Sequence, residues 1–292
     1  MHSKKTFTLK KLVLALAIAG YTMSSAYAVL TAPTGTIQGS APALSAPSNS
    51  AVHAVDLSSN ATGATLATGD SITLTYDYAD TDGDADNSTA HVSWYYVNGA
   101  TETPITAGIV NTPSTGGASG TSVMTIPGAA IGADAIKVVI QEYSASGDPI
   151  AGQTITVDDT SAGIGGGTTT PPGPVGPGTG PNAGVTPGIY LSTDTAFANN
   201  LIGTATKLDV GQTYVFKLWD STAVGSVDLT GSVSYNWRLV GSSATDNVTA
   251  PAAGIDTTVT DTSFTVPANA AGTAITSSAD GVQGFNLAVD YN

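Results

Sequence analysis

Asp77, Asp80, Asp82, Asp84 and Asp86 crowd into ten consecutive residues. Alternating carboxylates of this kind are how proteins gather hard cations such as Ca²⁺. The spacing is not that of an EF-hand: a loop starting at Asp80 has Gly83 fourth rather than sixth and His91 where the bidentate Glu belongs, and one starting at Asp82 ends at Ser93. Like charges this close repel unless something neutralises them. Two readings therefore stand, a calcium loop built from Asp80, Asp82, Asp84 and Asp86 or a solvated acidic turn; no other cofactor is expected. Other chemistry has little foothold. His53 and His91 are isolated, with no Cys or second His at zinc-ligand spacing. No Gly-x-Ser-x-Gly elbow, Walker loop or His-Glu-x-x-His occurs, so the chain is not expected to be an enzyme.

The acidic run sits between segments that read as β-strands. Ile72, Leu74 and Tyr76 alternate with polar residues before it, and Val92, Trp94 and Tyr96 share one face after it. Residues 122–126, 136–143 and 153–157 supply three more strands, with turn residues between them and no amphipathic helix of useful length.

The same pattern is written a second time. Gly69-Asp70-Ser71-Ile72-Thr73-Leu74 is answered by Gly211-Gln212-Thr213-Tyr214-Val215-Phe216, Val92-Ser93-Trp94 by Val233-Ser234-Tyr235, and Thr125-Ile126-Pro127 by Thr265-Val266-Pro267. The separations drift only from 142 (Gly69 to Gly211) through 141 (Val92 to Val233) to 140 (Pro127 to Pro267). Two homologous modules are the expectation: an all-β chain of two tandem immunoglobulin-like antiparallel β-sandwiches, at 51–160 and 189–292, joined by a Pro/Gly-rich linker at 161–188. The glycine-rich and proline-rich halves of that linker predict a semi-stiff spacer between semi-independent domains. Residues 29–50, rich in Ala, Pro and Ser, predict a flexible arm.

Ahead of the arm, Lys4, Lys5, Lys10 and Lys11 precede a short apolar stretch and then Ala26-Tyr27-Ala28, the pattern of a signal peptide over residues 1–28. The stretch is far shorter than the roughly 20 residues that span a bilayer. Export through the periplasm, to the medium or the cell surface, is expected, without membrane insertion. Removing this segment leaves four basic residues against 22 acidic ones, which disfavours nucleic acid and anionic lipid as partners. The chain has no cysteine, so each sandwich must be stable on its core alone.

Residues 69–76, the acidic loop 80–89 and Val92-Ser93-Trp94-Tyr95 resemble the strand B, loop and strand C segment of bacterial immunoglobulin-like domains in intimin/invasin-type adhesins. With the leader and the two-domain plan, the chain resembles the SinI and ZirS/ZirU group of exported proteins that accompany an inverse autotransporter; its second half lacks the acidic loop. The resemblance implies a non-catalytic adhesion or interaction protein whose partner is a surface protein or the autotransporter. It makes Trp94, with Tyr235 or Trp237, the core aromatic of strand C. The rival class is a carbohydrate-binding module, with Tyr95 or Trp219 as a stacking platform for a glycan.

Phe285, Leu287, Val289 and Tyr291 alternate without a break in the last strand. In the first domain the matching strand is followed by a turn and one strand more. The last strand is thus either an edge that accepts a donor strand, from another protein or from the arm that begins at Val29, or an edge closed by a segment such as residues 189–194.

Overall fold

The computed structural model describes residues 30–165, 167–179, 183–222 and 226–292. The expected signal peptide lies outside them. Residues 1–37 form a unit of their own, whose described part, 30–37, is exposed coil. The second unit, residues 38–292, holds two β-sandwiches.

In the first sandwich, one sheet contains β1 (Ala43–Ser45), β2 (Asp56–Ser59), β3 (Ser71–Ala79), β6 (Ile109–Thr112) and β7 (Gly120–Thr125). Its order is β1-β3-β7-β6, with β2 following β1 along the same edge of β3. The other sheet contains β4 (Val92–Asn98), β5 (Thr101–Ile105), β8 (Ala135–Tyr143) and β9 (Ala151–Val157), in the order β5-β4-β8-β9. All pairings are antiparallel. Read by position, these are strands A, B, E and D facing C′, C, F and G, the immunoglobulin arrangement. Period-two alternation turns Ile72, Leu74 and Tyr76 of β3 and Ile136, Val138 and Ile140 of β8 inward, where they are wholly buried around Trp94.

The second sandwich repeats this plan with fewer strands. β10 (Thr186–Leu191), β11 (Thr213–Trp219) and β14 (Phe264–Thr265) make one sheet. β12 (Tyr235–Gly241), β13 (Ile255–Thr260) and β15 (Phe285–Tyr291) make the other, in the order β13-β12-β15. One helix, α1 (Asn269–Thr276), bridges the two sheets in sequence. The repeat extends to single hydrogen bonds: Gly69 N–H bonds Ile126 O as Gly211 N–H bonds Val266 O, both at 2.8 Å, and both glycines sit at φ 85°. The core tryptophan of the second copy is Trp237. Trp94 Nε1 donates to Ser122 Oγ at 2.9 Å, and Trp237 Nε1 donates at 2.7 Å to the carbonyl of Thr262, the residue that the repeat aligns with Ser122. Tyr235 is only partly buried.

Two expectations about connecting segments are corrected. Residues 38–50 are not an arm: Leu44 is fully buried in β1, and Gly39 N–H bonds Asp148 O at 2.7 Å. Nor do residues 161–188 form a spacer. Leu66 N–H bonds Pro172 O, Gly176 N–H bonds Leu66 O and Thr68 N–H bonds Gly176 O, so the proline-rich stretch lies as a parallel strap along residues 66–68, with Val175 inside the first core. Its glycines serve close approach: a Cβ on Gly173 would stand 2.1 Å from Asp134 O, and one on Gly178 1.9 Å from Thr68 O. The strap then feeds Ala183 and Val185 into the second core, where Ile131 of the first sandwich joins them.

Candidate functional site

The acidic loop follows β3 directly. Ligand atoms of Asp80, Asp82 and Asp84 lie within 4.8 Å of one another, a grouping that could hold a cation, while Asp86 stands apart. Each carboxylate already has donors. Asp80 Oδ1 accepts the backbone N–H of Asp82 at 2.8 Å and of Gly83 at 3.1 Å, a turn that folds the chain around it. Asp82 accepts the N–H of Ser40, and Asp84 the hydroxyl of Ser146. Asp86 takes the Tyr76 hydroxyl at 2.6 Å and the N–H of Ser88 and Ser114 at 2.8 and 2.7 Å. Asp77 receives the Ser119 hydroxyl at 2.6 Å. The carboxylates thus tie four segments together at one end of the first sandwich. Burial, and then the Asp86 hydrogen bond and charge, push the Tyr76 phenol well above its ordinary range, so it stays a donor at any physiological pH.

Beside this loop lies a polar cluster that the sequence reading missed. Glu142 continues the inward series Ile136, Val138, Ile140 and has no exposed side-chain surface. Its carboxylate accepts Leu44 N–H at 2.9 Å and Gln153 N–H at 2.7 Å, and contacts His53 Nδ1 at 2.7 Å. A charged residue at an inward position of an alternating strand was the available signal. Here it locks β1 to β8 and β9.

The geometry of β15 follows from its pairing with β12. Ser234 and Asn292 exchange both backbone hydrogen bonds, at 3.2 and 3.0 Å, and the register runs unbroken from there to Gly241 opposite Phe285. Because bonded and non-bonded pairs alternate in an antiparallel ladder, Asn286, Ala288 and Asp290 face β12 with their N–H and C=O groups. Those of Phe285, Leu287, Val289 and Tyr291 point the other way. There, among the described residues, no strand meets them. Phe285 N–H turns back to Val282 O at 3.3 Å, which leaves the donors of Leu287, Val289 and Tyr291 without a partner among the described residues. Residues 189–194 do not close this edge, since β10 pairs with β11 instead.

The side chains of these same four residues face the core, yet all are only partly buried, whereas the equivalent residues Ile136, Val138 and Ile140 of β8, which β9 flanks, lie wholly buried. Two other edges are blunted. β5 carries Glu102 and Pro104, and β13 is bent by a register shift against β12 and by left-handed Thr258 and Asp261, at φ 61° and 52°. β15 has no Lys, Pro or bulge.

Aromatics elsewhere pack on one another. Trp219 Nε1 donates to the Tyr190 hydroxyl at 3.0 Å, and the Phe197 ring leans on both. Tyr95 is partly buried on β4, and among the described residues every Phe, Tyr and Trp side chain is buried or partly buried. No helix among them is long and apolar enough to cross a membrane.

No protein-family model matches the chain, and no curated protein does. Among solved structures it is similar to a marsupial T cell receptor, at 10% sequence identity over 76% of this chain and 84% of that one, with a TM-score of 0.21. At that score the likeness carries no weight. The assignment of both halves as immunoglobulin-like rests on strand order and on the equivalent hydrogen bonds at Gly69 and Gly211.

Proposed function

We propose that this is an exported, non-catalytic binding protein that holds another polypeptide by strand addition at β15, with the loops of the first sandwich as a secondary contact. The observation that carries the reading is the free edge of β15, where three outward backbone donors border four apolar, partly buried side chains with no lysine, proline or bulge to guard them. Such an edge is a template for an extended segment: backbone hydrogen bonds supply affinity, and alternate side-chain positions supply selectivity. Protein is favoured over glycan because Trp219 is spent on Phe197 and on buried Tyr190. The resemblance of residues 69–95 to adhesin-type domains makes a surface protein, or an inverse autotransporter encoded in the same genome, the partner to test.

Leu287→Pro is the informative variant. It deletes an N–H that points away from β12, so the ladder within the sandwich keeps its bonds. Capture of the autotransporter's passenger by the full chain should drop at least about tenfold in this variant, the scale of losing hydrogen bonds at an interface. Equal capture by both would remove the edge from the mechanism, and no capture by either would remove the autotransporter as partner.

A further inference from the structure

The residues of β15 read alike in both directions. About Ala288 the strand runs aromatic, polar, aliphatic, alanine, aliphatic, polar, aromatic: Phe285 mirrors Tyr291, Asn286 mirrors Asp290, and Leu287 mirrors Val289. We infer that the occupant of the free edge is the β15 of a second copy of this chain, paired antiparallel about a two-fold axis at Ala288. The inference rests on the reading of β15 as a docking edge and names its partner.

The backbone permits this register. The groups facing the open side belong to Leu287, Val289 and Tyr291, with the carbonyl of Phe285. An antiparallel ladder forms its bonded pairs between residues that both face the gap. Centring on Ala288 sets Leu287 against Val289 of the second copy and Phe285 against its Tyr291, so all the open donors find carbonyls. Centring on Leu287 or Val289 also brings odd-numbered residues together, but it shortens the ladder and sets Ala288 against Asn286 or Asp290. Only the Ala288 register uses the whole strand.

The side chains agree with the backbone. On the core side, Phe285 meets Tyr291 and Leu287 meets Val289 across the seam, an apolar row that continues the partly covered core of each sandwich. On the outer side, each Asp290 meets an Asn286 amide and not a second carboxylate. Asp290 is already held by Arg238, whose Nε and Nη2 lie 2.9 and 2.8 Å from Oδ2. A strongly acidic chain therefore approaches itself here without opposed charges. Surfaces that complement themselves in this way are what closed two-fold dimers require.

Sedimentation equilibrium of the full chain tests the inference. The wild type should be a dimer that dissociates on dilution, and Leu287→Pro should be monomeric. Asn286→Asp sets carboxylates opposite each other at two symmetric places and should raise the dissociation constant by about tenfold, while Asn286→Lys should lower it. The register is checked separately. Residues 288 of the two copies would form a non-bonded pair with Cα atoms about 4.5 Å apart, inside the roughly 4.4–6.8 Å range that a disulfide bridges. In this cysteine-free chain, Ala288→Cys should cross-link on mild oxidation and Asn286→Cys should not. A wild type that stays monomeric at every concentration, or a dimer indifferent to the substitutions at 286 and 287, overturns the inference. If the wild type is monomeric yet captures the autotransporter passenger in a Leu287-dependent way, the docking edge stands and only its self-pairing falls.

Discussion

Asp246 is held by the hydroxyls of Ser243 and Ser278 and by Ala279 N–H, the last at 2.7 Å, while Asp280 takes Thr245 in the opposite direction. The two carboxylates clasp the loop after β12 to the turn that launches β15. The Ser243 hydrogen bond, against a smaller effect of burial and with help from Ala279 and Ser278, lowers the Asp246 carboxyl from the ordinary 3.8 to about 2. A lowered folded pKa means stability that is complete above the unfolded value and lost as pH falls through the folded one. The clasp therefore weakens between about pH 4 and pH 2. Asp246→Asn should lower the melting temperature by a few degrees at pH 7 and flatten the acid slope of a thermal melt across that window. An unchanged acid slope would show that the clasp does not couple to unfolding.

At the scale of elements, β1 is three residues long and carries one large apolar side chain, Leu44. Composition alone therefore reads it as loose chain. Its order comes from Glu142, 98 residues away along the sequence, which accepts the Leu44 N–H. Glu142→Ala strands that buried donor and unties the partly exposed Gln153 N–H and His53 ring, and an unmet buried donor costs about 1–3 kcal/mol. Denaturant unfolding should show a loss of about 3 kcal/mol, and hydrogen exchange at Leu44 should accelerate well beyond that of β8. Continued protection of Leu44 would mean that β1 is held by its ladder to β3 alone.

This contrast marks what a single sequence can and cannot show. Strands such as β3, β8 and β15 were legible because alternation over seven to nine residues is a signal that they carry within themselves. The acidic grouping at Asp80, Asp82 and Asp84 was legible because its members are neighbours. β1, the strap at 172–178 and the Glu142 cluster depend on contacts across the fold, and glycines that allow tight approach have the same composition as glycines that allow freedom.

For the whole molecule, the strap and Ile131 join the two sandwiches into one body. Ile131 is 7% exposed and packs with Ala183 and Val185 in the second core, and a Cβ on Gly128 would stand 2.2 Å from Gly184 O. Burying such a side chain is worth about 1.5–3 kcal/mol, and nothing comparable would hold domains on a free linker. Amide relaxation should give both sandwiches a common correlation time in the wild type, and two separate, shorter ones in Ile131→Asp. A common value in both would place the coupling in the strap alone.

The bend in β13 decides how far assembly can go. A three-stranded sheet with two receptive margins would recruit copy after copy and lengthen into a fibre. Thr258 and Asp261 twist one margin out of plane, so this sheet offers a single hand, and a handshake through it ends at two.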